Sequence, residues 1–190
     1  MNHVFETERL FARRWEASDA PDLFAIYSNT EVTRFLGDAG VSTIEEIHER
    51  MPRLLGTYER YGPGFGVWAA VRKTDRVVLG TVLLKALPGP DEAILTEDVE
   101  VGWHLRREMW GMGVATEIGA GALRHGFERQ GLSRIHAVVD LGNHGSSAVA
   151  ERLGMVLQGR TDAYYGGEVV DHYTLDRDTW ANEARGATPG

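Results

Sequence analysis

The stretch Val99-Glu-Val-Gly-Trp-His-Leu-Arg-Arg-Glu-Met-Trp-Gly-Met-Gly-Val-Ala-Thr-Glu117 constrains this chain more than any other. It begins as a strand, passes two glycines one residue apart, Gly111 and Gly113, and enters a helical pattern at Val114. A chain that turns from strand into helix leaves the first helical amides without intrahelical acceptors. Those amides sit at the positive end of the helix dipole, and the two glycines place no Cβ in the way of an approaching ligand. The stretch therefore reads as an anion cradle suited to phosphate.

Other phosphate motifs fit less well. A P-loop requires G-K-[ST] after its second glycine, and here Val114-Ala115 follows. The dinucleotide fingerprint requires a third glycine where this chain has Thr116. The formal net charge of -8 argues against non-specific nucleic-acid binding, which depends on clustered basic residues. Arg106 and Arg107 are a local exception beside the cradle. With no cysteine, disulfides, thiolate metal sites and a cysteine nucleophile are excluded. The seven histidines show no metal-ligand spacing, so no metal is expected. No apolar run reaches the roughly 18 residues of a membrane span and no signal-peptide pattern opens the chain, so no membrane association and a cytoplasmic location are expected.

The 190 residues suit one domain, expected over 1–183, with 184–190 as a flexible tail. Glu8 to Trp15 reads as a first strand, and Ser18 as the N-cap of a helix burying Leu23, Ile26 and Tyr27. Ser42 and Glu45 form an S-x-x-E capping box ahead of a second helix, which Pro52 should kink or split and Gly62 should end. Phe65–Val71 and Val77–Leu84 read as a hairpin, Leu95–Leu105 as a strand and Val114 to about Arg129 as a helix. Ile135–Asp140 completes a βαβ unit with a parallel pair. A short helix from Asn143 and Ser146 to Gly154 follows, then strands Val156–Tyr165 and Val169–Leu175 about a Gly166-Gly167 turn. The expected fold class is α/β (α+β), a mixed and mostly antiparallel sheet with a central parallel βαβ unit.

Trp110-Gly-Met-Gly-Val-Ala-Thr-Glu117, with Val101-Gly-Trp-His-Leu105 before it and Asn143-His-Gly-Ser146 to Gly154-Met155 after it, resembles the GNAT acetyltransferases. The branch it resembles is the RimJ/RimL type of ribosomal-protein N-terminal acetyltransferases. Thr7-Glu-Arg-Leu10, Tyr164-Tyr-Gly-Gly167 and Asp171 extend the likeness from Thr7 to about Trp180. The resemblance implies the acyl-CoA N-acyltransferase fold and acetyl-CoA as cosubstrate. Its pyrophosphate would lie on the amides of Gly111, Met112, Gly113, Val114, Ala115 and Thr116, beside Trp110 and Arg106. The pantetheine arm would pair with backbone near Trp103, His104 and Leu105, with Asn143 and Ser146 as further contacts. Where the family has Gln or Arg three residues before the first glycine, this chain has Glu108, leaving Arg106 and Arg107 as substitutes.

Direct acetyl transfer to an amine needs a neutral amine, a polarised thioester carbonyl and a proton for the departing thiolate. Glu100 is the candidate base, with His104 as its rival four residues along the strand; a strand carboxylate and a structural histidine are their plain alternatives. Glu117 most simply complements the helix dipole. Many family members place a tyrosine seven residues after the asparagine matching Asn143, and this chain has Ala150 there. Ser146 or water would then protonate the thiolate, with helix capping as the other reading of Ser146. Tyr164 and Tyr165 are read as packing a strand, and the segment Asn29–Tyr61, with Phe35 and Leu36, as the lid over an acceptor site.

The resulting expectation is an N-acetyltransferase acting on a primary amine, either a protein or peptide N-terminus or a small molecule. A non-catalytic acyl-CoA-binding or sensing module is the alternative. Dimers are common in the branch, so a homodimer is compatible with it, although no residue marks one.

Overall fold

A computed structural model describes residues 3–91 and 93–186. Its strands are β1 (His3–Glu6), β2 (Leu10–Arg14), β3 (Gly66–Arg72), β4 (Val78–Pro88), β5 (Leu95–Leu105), β6 (Arg134–Asp140), β7 (Val156–Thr161) and β8 (Val170–Asp176). Its helices are α1 (Ala20–Tyr27), α2 (Thr30–Thr33), α3 (Ile44–Tyr61), α4 (Val114–Arg124), α5 (His144–Arg152) and α6 (Arg177–Gly186). The strands form an eight-stranded mixed sheet in the order β1-β2-β3-β4-β5-β6-β8-β7, in which β5 and β6 are parallel. Among the described residues no helix is long and apolar enough to cross a membrane.

The chain divides into two compact units, Met1–Leu84 with Gly102–Ala122, and Lys85–Val101 with Leu123–Gly190. In the first, β1, β2, β3 and β4 pair antiparallel in succession. Helices α1 and α3 bury Leu23, Ile26, Ile47 and Met51 against Phe11, Trp15, Ala69 and Val71. Trp15, Tyr58 and Trp68 are buried, and Tyr58 takes the Trp15 N–H at 2.8 Å while donating to the Val67 carbonyl at 2.7 Å. In the second unit β6 pairs antiparallel with β8, and β8 with β7. Phe127 meets Trp180 there, with ring centroids 5.2 Å apart.

Several local expectations shift. A separate strand, β1, precedes the expected first strand, because Phe5 and Thr7 pack against Gly121, where a Cβ would lie 2.7 Å from Thr7 Cγ2. That close approach explains a glycine inside α4 despite its helix cost of about 1 kcal/mol. Ser18 is not the cap of α1: the Asp19 carboxylate takes the Glu16 N–H and α1 starts at Ala20. The cap of α3 is Thr43 rather than Ser42, because the Thr43 hydroxyl accepts the Glu46 N–H, while the Glu46 carboxylate accepts from Ser42 N–H. Pro52 does not split α3, which runs on to Gly62 at φ 81. Pro52 is exposed, so the carbonyl that loses its N–H partner can turn to water. Helix α4 ends at Arg124 and continues as a π turn through Arg129. Strand β7 stops at Thr161, so Tyr164 and Tyr165 lie outside it. Helix α6 reaches Gly186, and the rest of the expected tail, 187–190, lies outside the described residues.

Candidate active site

In the first unit, Gly111 and Gly113 both adopt φ 74, and a Cβ at Gly111 would meet nothing within 4 Å. The ladder of α4 begins with Glu117 N–H donating to the Gly113 carbonyl at 3.0 Å, so the amides of Val114, Ala115 and Thr116 precede it. Gly111, Met112 and Gly113 are exposed, and Met112 and Trp110 stand at 56% and 44% exposure. An open, amide-lined turn at a helix start is what a pyrophosphate requires.

The cations around this turn are arranged differently from the expectation. Arg106 donates through Nε to the Val78 carbonyl at 2.8 Å and pairs with Asp22 at 2.5 Å, which ties it to the scaffold. Arg107 pairs with Glu31 and lies over the Trp110 ring, 4.7 Å from its centroid. The residue that motif reading missed is Arg9. Its Nε pairs with Glu117 at 2.5 Å, and its guanidinium donates to the Met112 carbonyl at 3.4 Å inside the turn. Glu117 also accepts from the Thr7 hydroxyl at 2.6 Å and the Arg9 N–H at 2.7 Å. Burial raises the Glu117 carboxyl, but these donors outweigh it and hold it below the usual carboxylate range. The signal was present in Thr7-Glu-Arg-Leu10, but only the fold brings it to Glu117.

On β5, Trp103 and His104 are half-buried and Leu105 is buried. The Leu105 carbonyl accepts the Trp110 indole N–H at 3.1 Å, and a Cβ at Gly80 would lie 2.4 Å from the His104 carbonyl. His104 Nδ1 lies 3.0 Å from the Tyr27 hydroxyl, which lies 3.0 Å from Thr81 Oγ1. Burial pushes the Tyr27 phenol up to about 12, so it stays a neutral hydroxyl.

His104 and Tyr27 also line a cavity of ≈ 200 Å³ in the same unit. Its apolar wall comes from Leu23, Ile47, Met51, Leu54 and Val67, with Trp15 and Arg50 completing it. The segment expected as a lid does contribute, through Ala39, Ile47, Arg50, Met51 and Leu54. Phe35 and Leu36 are not among the lining residues, and Phe35 lies under the Arg34 guanidinium, 4.5 Å from it.

The second unit holds Glu100, Asn143 and Ser146. Glu100 is 4% exposed, pairs with Lys85 Nζ at 2.5 Å and accepts from the Tyr165 hydroxyl. Tyr165, read from sequence as strand packing, instead sits at φ 48 and also bonds Lys85 at 2.8 Å. The Tyr164 hydroxyl donates to Asp98 at 2.6 Å, and burial with that carboxylate pushes its phenol up. Asn143 caps α5 through Oδ1, which accepts the Ser146 N–H at 3.2 Å. Capping therefore falls to Asn143, and the Ser146 hydroxyl takes no part in that contact. His136 and His172 are 2.9 Å apart, and His136 Nε2 lies 3.4 Å from Asp98. Among the described residues no group of three or more His, Cys, Asp or Glu is placed to hold a metal ion.

The family description "Acetyltransferase (GNAT) domain" matches residues 9–156. The chain is 30% identical over 171 residues to the uncharacterized N-acetyltransferase YoaA of Bacillus subtilis, covering 88% of this chain and 92% of that protein. Its fold is that of a putative acetyltransferase from T. thermophilus, with 27% identity, TM-score 0.72 and 95% of each chain covered. RimL, a ribosomal L7/L12 alpha-N-protein acetyltransferase solved with coenzyme A, shares the fold at 17% identity and TM-score 0.72, over 94% of this chain and 99% of that one. The glycine turn, the mixed sheet with its parallel pair and a match over most of the chain agree: the protein belongs to the GNAT acetyltransferase family.

Proposed function

We propose that this acetyltransferase moves the acetyl group of acetyl-CoA directly to a primary amine seated in the cavity beside His104, and that residues 1–183 act as one domain. The observation that carries this is a basic side chain, held by a buried hydroxyl chain, in the wall of an apolar cavity. Acetyl-CoA supplies an activated acyl thioester. The amides from Gly111 to Thr116 would hold its pyrophosphate, aided by Arg9, and the β5 backbone at Trp103 and Leu105 its pantetheine arm.

His104 takes the amine proton at Nε2. In the tautomer this requires, Nδ1–H donates to the Tyr27 oxygen and the Tyr27 hydroxyl donates to Thr81, which fixes the ring. Glu100, engaged by Lys85 and Tyr165, is assigned to holding the second unit together rather than to proton uptake. The Ser146 hydroxyl, which takes no part in the α5 cap contact, would relay a proton to the departing thiolate while taking one from solvent water, so that it ends as a hydroxyl.

The test is CoA release from acetyl-CoA with a panel of amines and peptides. Wild type turns over; His104→Gln loses about 10²- to 10⁴-fold in kcat, the range of general acid–base catalysis. Tyr27→Phe keeps turnover but shifts the acidic limb of the pH–rate profile. An unchanged kcat in His104→Gln removes His104 from the mechanism. No CoA release from any acceptor, with acetyl-CoA still binding, returns the protein to a binding role.

A further inference from the structure

One residue that lines the cavity carries a buried polar group with no hydrogen-bond partner among the described residues. The Trp15 indole Nε1 is buried and makes no hydrogen bond among the described residues, although Trp15 is only 2% exposed and lines the cavity. An unpaired buried donor is costly, and such a donor beside a cavity is satisfied when an occupant brings an acceptor oxygen. The rest of the wall restricts the occupant further. The charged lining residue is Arg50, whose guanidinium also donates to the Ala39 and Gly40 carbonyls at 2.9 and 3.0 Å. No Asp or Glu is among the described residues lining it, so nothing there attracts a second ammonium group.

Size gives a third constraint. A cavity of about 150 Å³ lined by apolar side chains holds a benzene molecule. At ≈ 200 Å³ this one has room for one aromatic or branched aliphatic body and a small polar group.

We infer that the acceptor is a small primary amine with an apolar body and a carbonyl-type oxygen, such as a hydrophobic amino acid amide or the first residue of a hydrophobic N-terminus, and that Trp15 Nε1 is its specificity contact. This rests on the acetyl-transfer reading for the identity of the cavity. It excludes polyamines as preferred acceptors.

The experiment compares L-phenylalaninamide and L-leucinamide with phenethylamine and isoamylamine, which lack the oxygen, and with spermidine. Both CoA release and calorimetric binding are read. Wild type should favour the amides over spermidine by at least tenfold in kcat/KM. Trp15→Phe, which keeps a ring but removes the N–H, should lower kcat/KM for the amides by about two- to tenfold, the worth of one hydrogen bond, and leave the oxygen-free amines within twofold. Leu54→Trp narrows the cavity at a partly buried wall position and should raise KM for L-phenylalaninamide more than for glycinamide, giving an independent readout if Trp15→Phe does not fold. Preferred acetylation of spermidine, or equal loss for both amine classes in Trp15→Phe, overturns the inference while transfer stands. Amide binding that depends on Trp15, without CoA release from any amine, upholds the acceptor chemistry and overturns the transfer reading.

Discussion

Arg9 and Glu117 form a 2.5 Å ion pair across 108 residues, and it joins the turn after β1 to the first turn of α4. The carboxylate sits where the helix dipole favours it, and the guanidinium it orients reaches the Met112 carbonyl inside the glycine turn. The pair thus sets both the strand-to-helix geometry and the charge at the proposed pyrophosphate cradle. Arg9→Met should weaken CoA binding by up to about fivefold, the range of an exposed ion contact, and leave binding of pantetheine, which lacks the pyrophosphate, unchanged. Calorimetry with both ligands checks it, and equal weakening of the two would dissociate Arg9 from the phosphates.

Glu117 also gives a pH signature. Its folded carboxyl lies below the unfolded value of 4.5, so its stabilisation is present above that pH and is lost as pH falls through the folded value. Glu117→Gln should lower Tm at pH 7 and converge with wild type in acid. A Tm difference that stays constant as pH falls from 7 through the acid range would contradict this assignment.

His136 and His172 act in the same direction through a different cause. Burial lowers both imidazoles from 6.5; the Asp98 charge opposes it, while each is further lowered by a neighbouring positive charge, His172 or Arg134. The folded state therefore favours neutral rings, and their contribution is full above about pH 6.5 and lost as pH falls through the lowered values. Denaturant titrations from about pH 8 to about pH 5 should show stability falling below about 6.5, with a shallower fall in His172→Gln. Parallel curves for the two proteins would exclude the pair as the source.

Lys85 and Glu100, with side-chain exposures of 11% and 6%, are a buried ion pair. Removing one partner strands the other charge, so Lys85→Met should cost about 3–5 kcal/mol by urea denaturation, whereas Lys85→Met with Glu100→Leu should recover most of it. If the double variant also keeps kcat within about tenfold, far less than general-base removal costs, Glu100 serves the scaffold. A collapse of kcat in the folded double variant would return Glu100 to proton transfer.

At α5 the cap and the hydroxyl separate. Asn143→Ala should cost about 1 kcal/mol in stability through the lost cap. Ser146→Ala should leave Tm unchanged and lower kcat, since its backbone N–H, which survives the substitution, makes the cap contact. Thermal melts beside kcat measurements for both variants decide it; a Tm loss in Ser146→Ala would assign the hydroxyl to structure.

Features that depend on near neighbours were legible in the residues alone. The strand Leu95–Leu105, the turn at Gly111 and Gly113, the start of α4 at Val114 and the Asn143-to-Gly154 helix follow from side-chain period, backbone freedom at glycine and capping chemistry within a few residues. Motif reading places the cap of α3 one residue early because Ser42 and Thr43 are both competent caps and only the chain's entry path selects one. Whatever depends on distant partners came from the folded chain: Arg9 at the cradle, Tyr27 fixing His104, and Lys85 with Tyr165 engaging Glu100. None of these has a sequence period, because each pairs side chains on different elements whose proximity comes from strand order. The cavity is likewise invisible in sequence, since Leu54 on α3 shares a wall with Trp15, just after β2, and His104 on β5 only once α3 packs on the sheet.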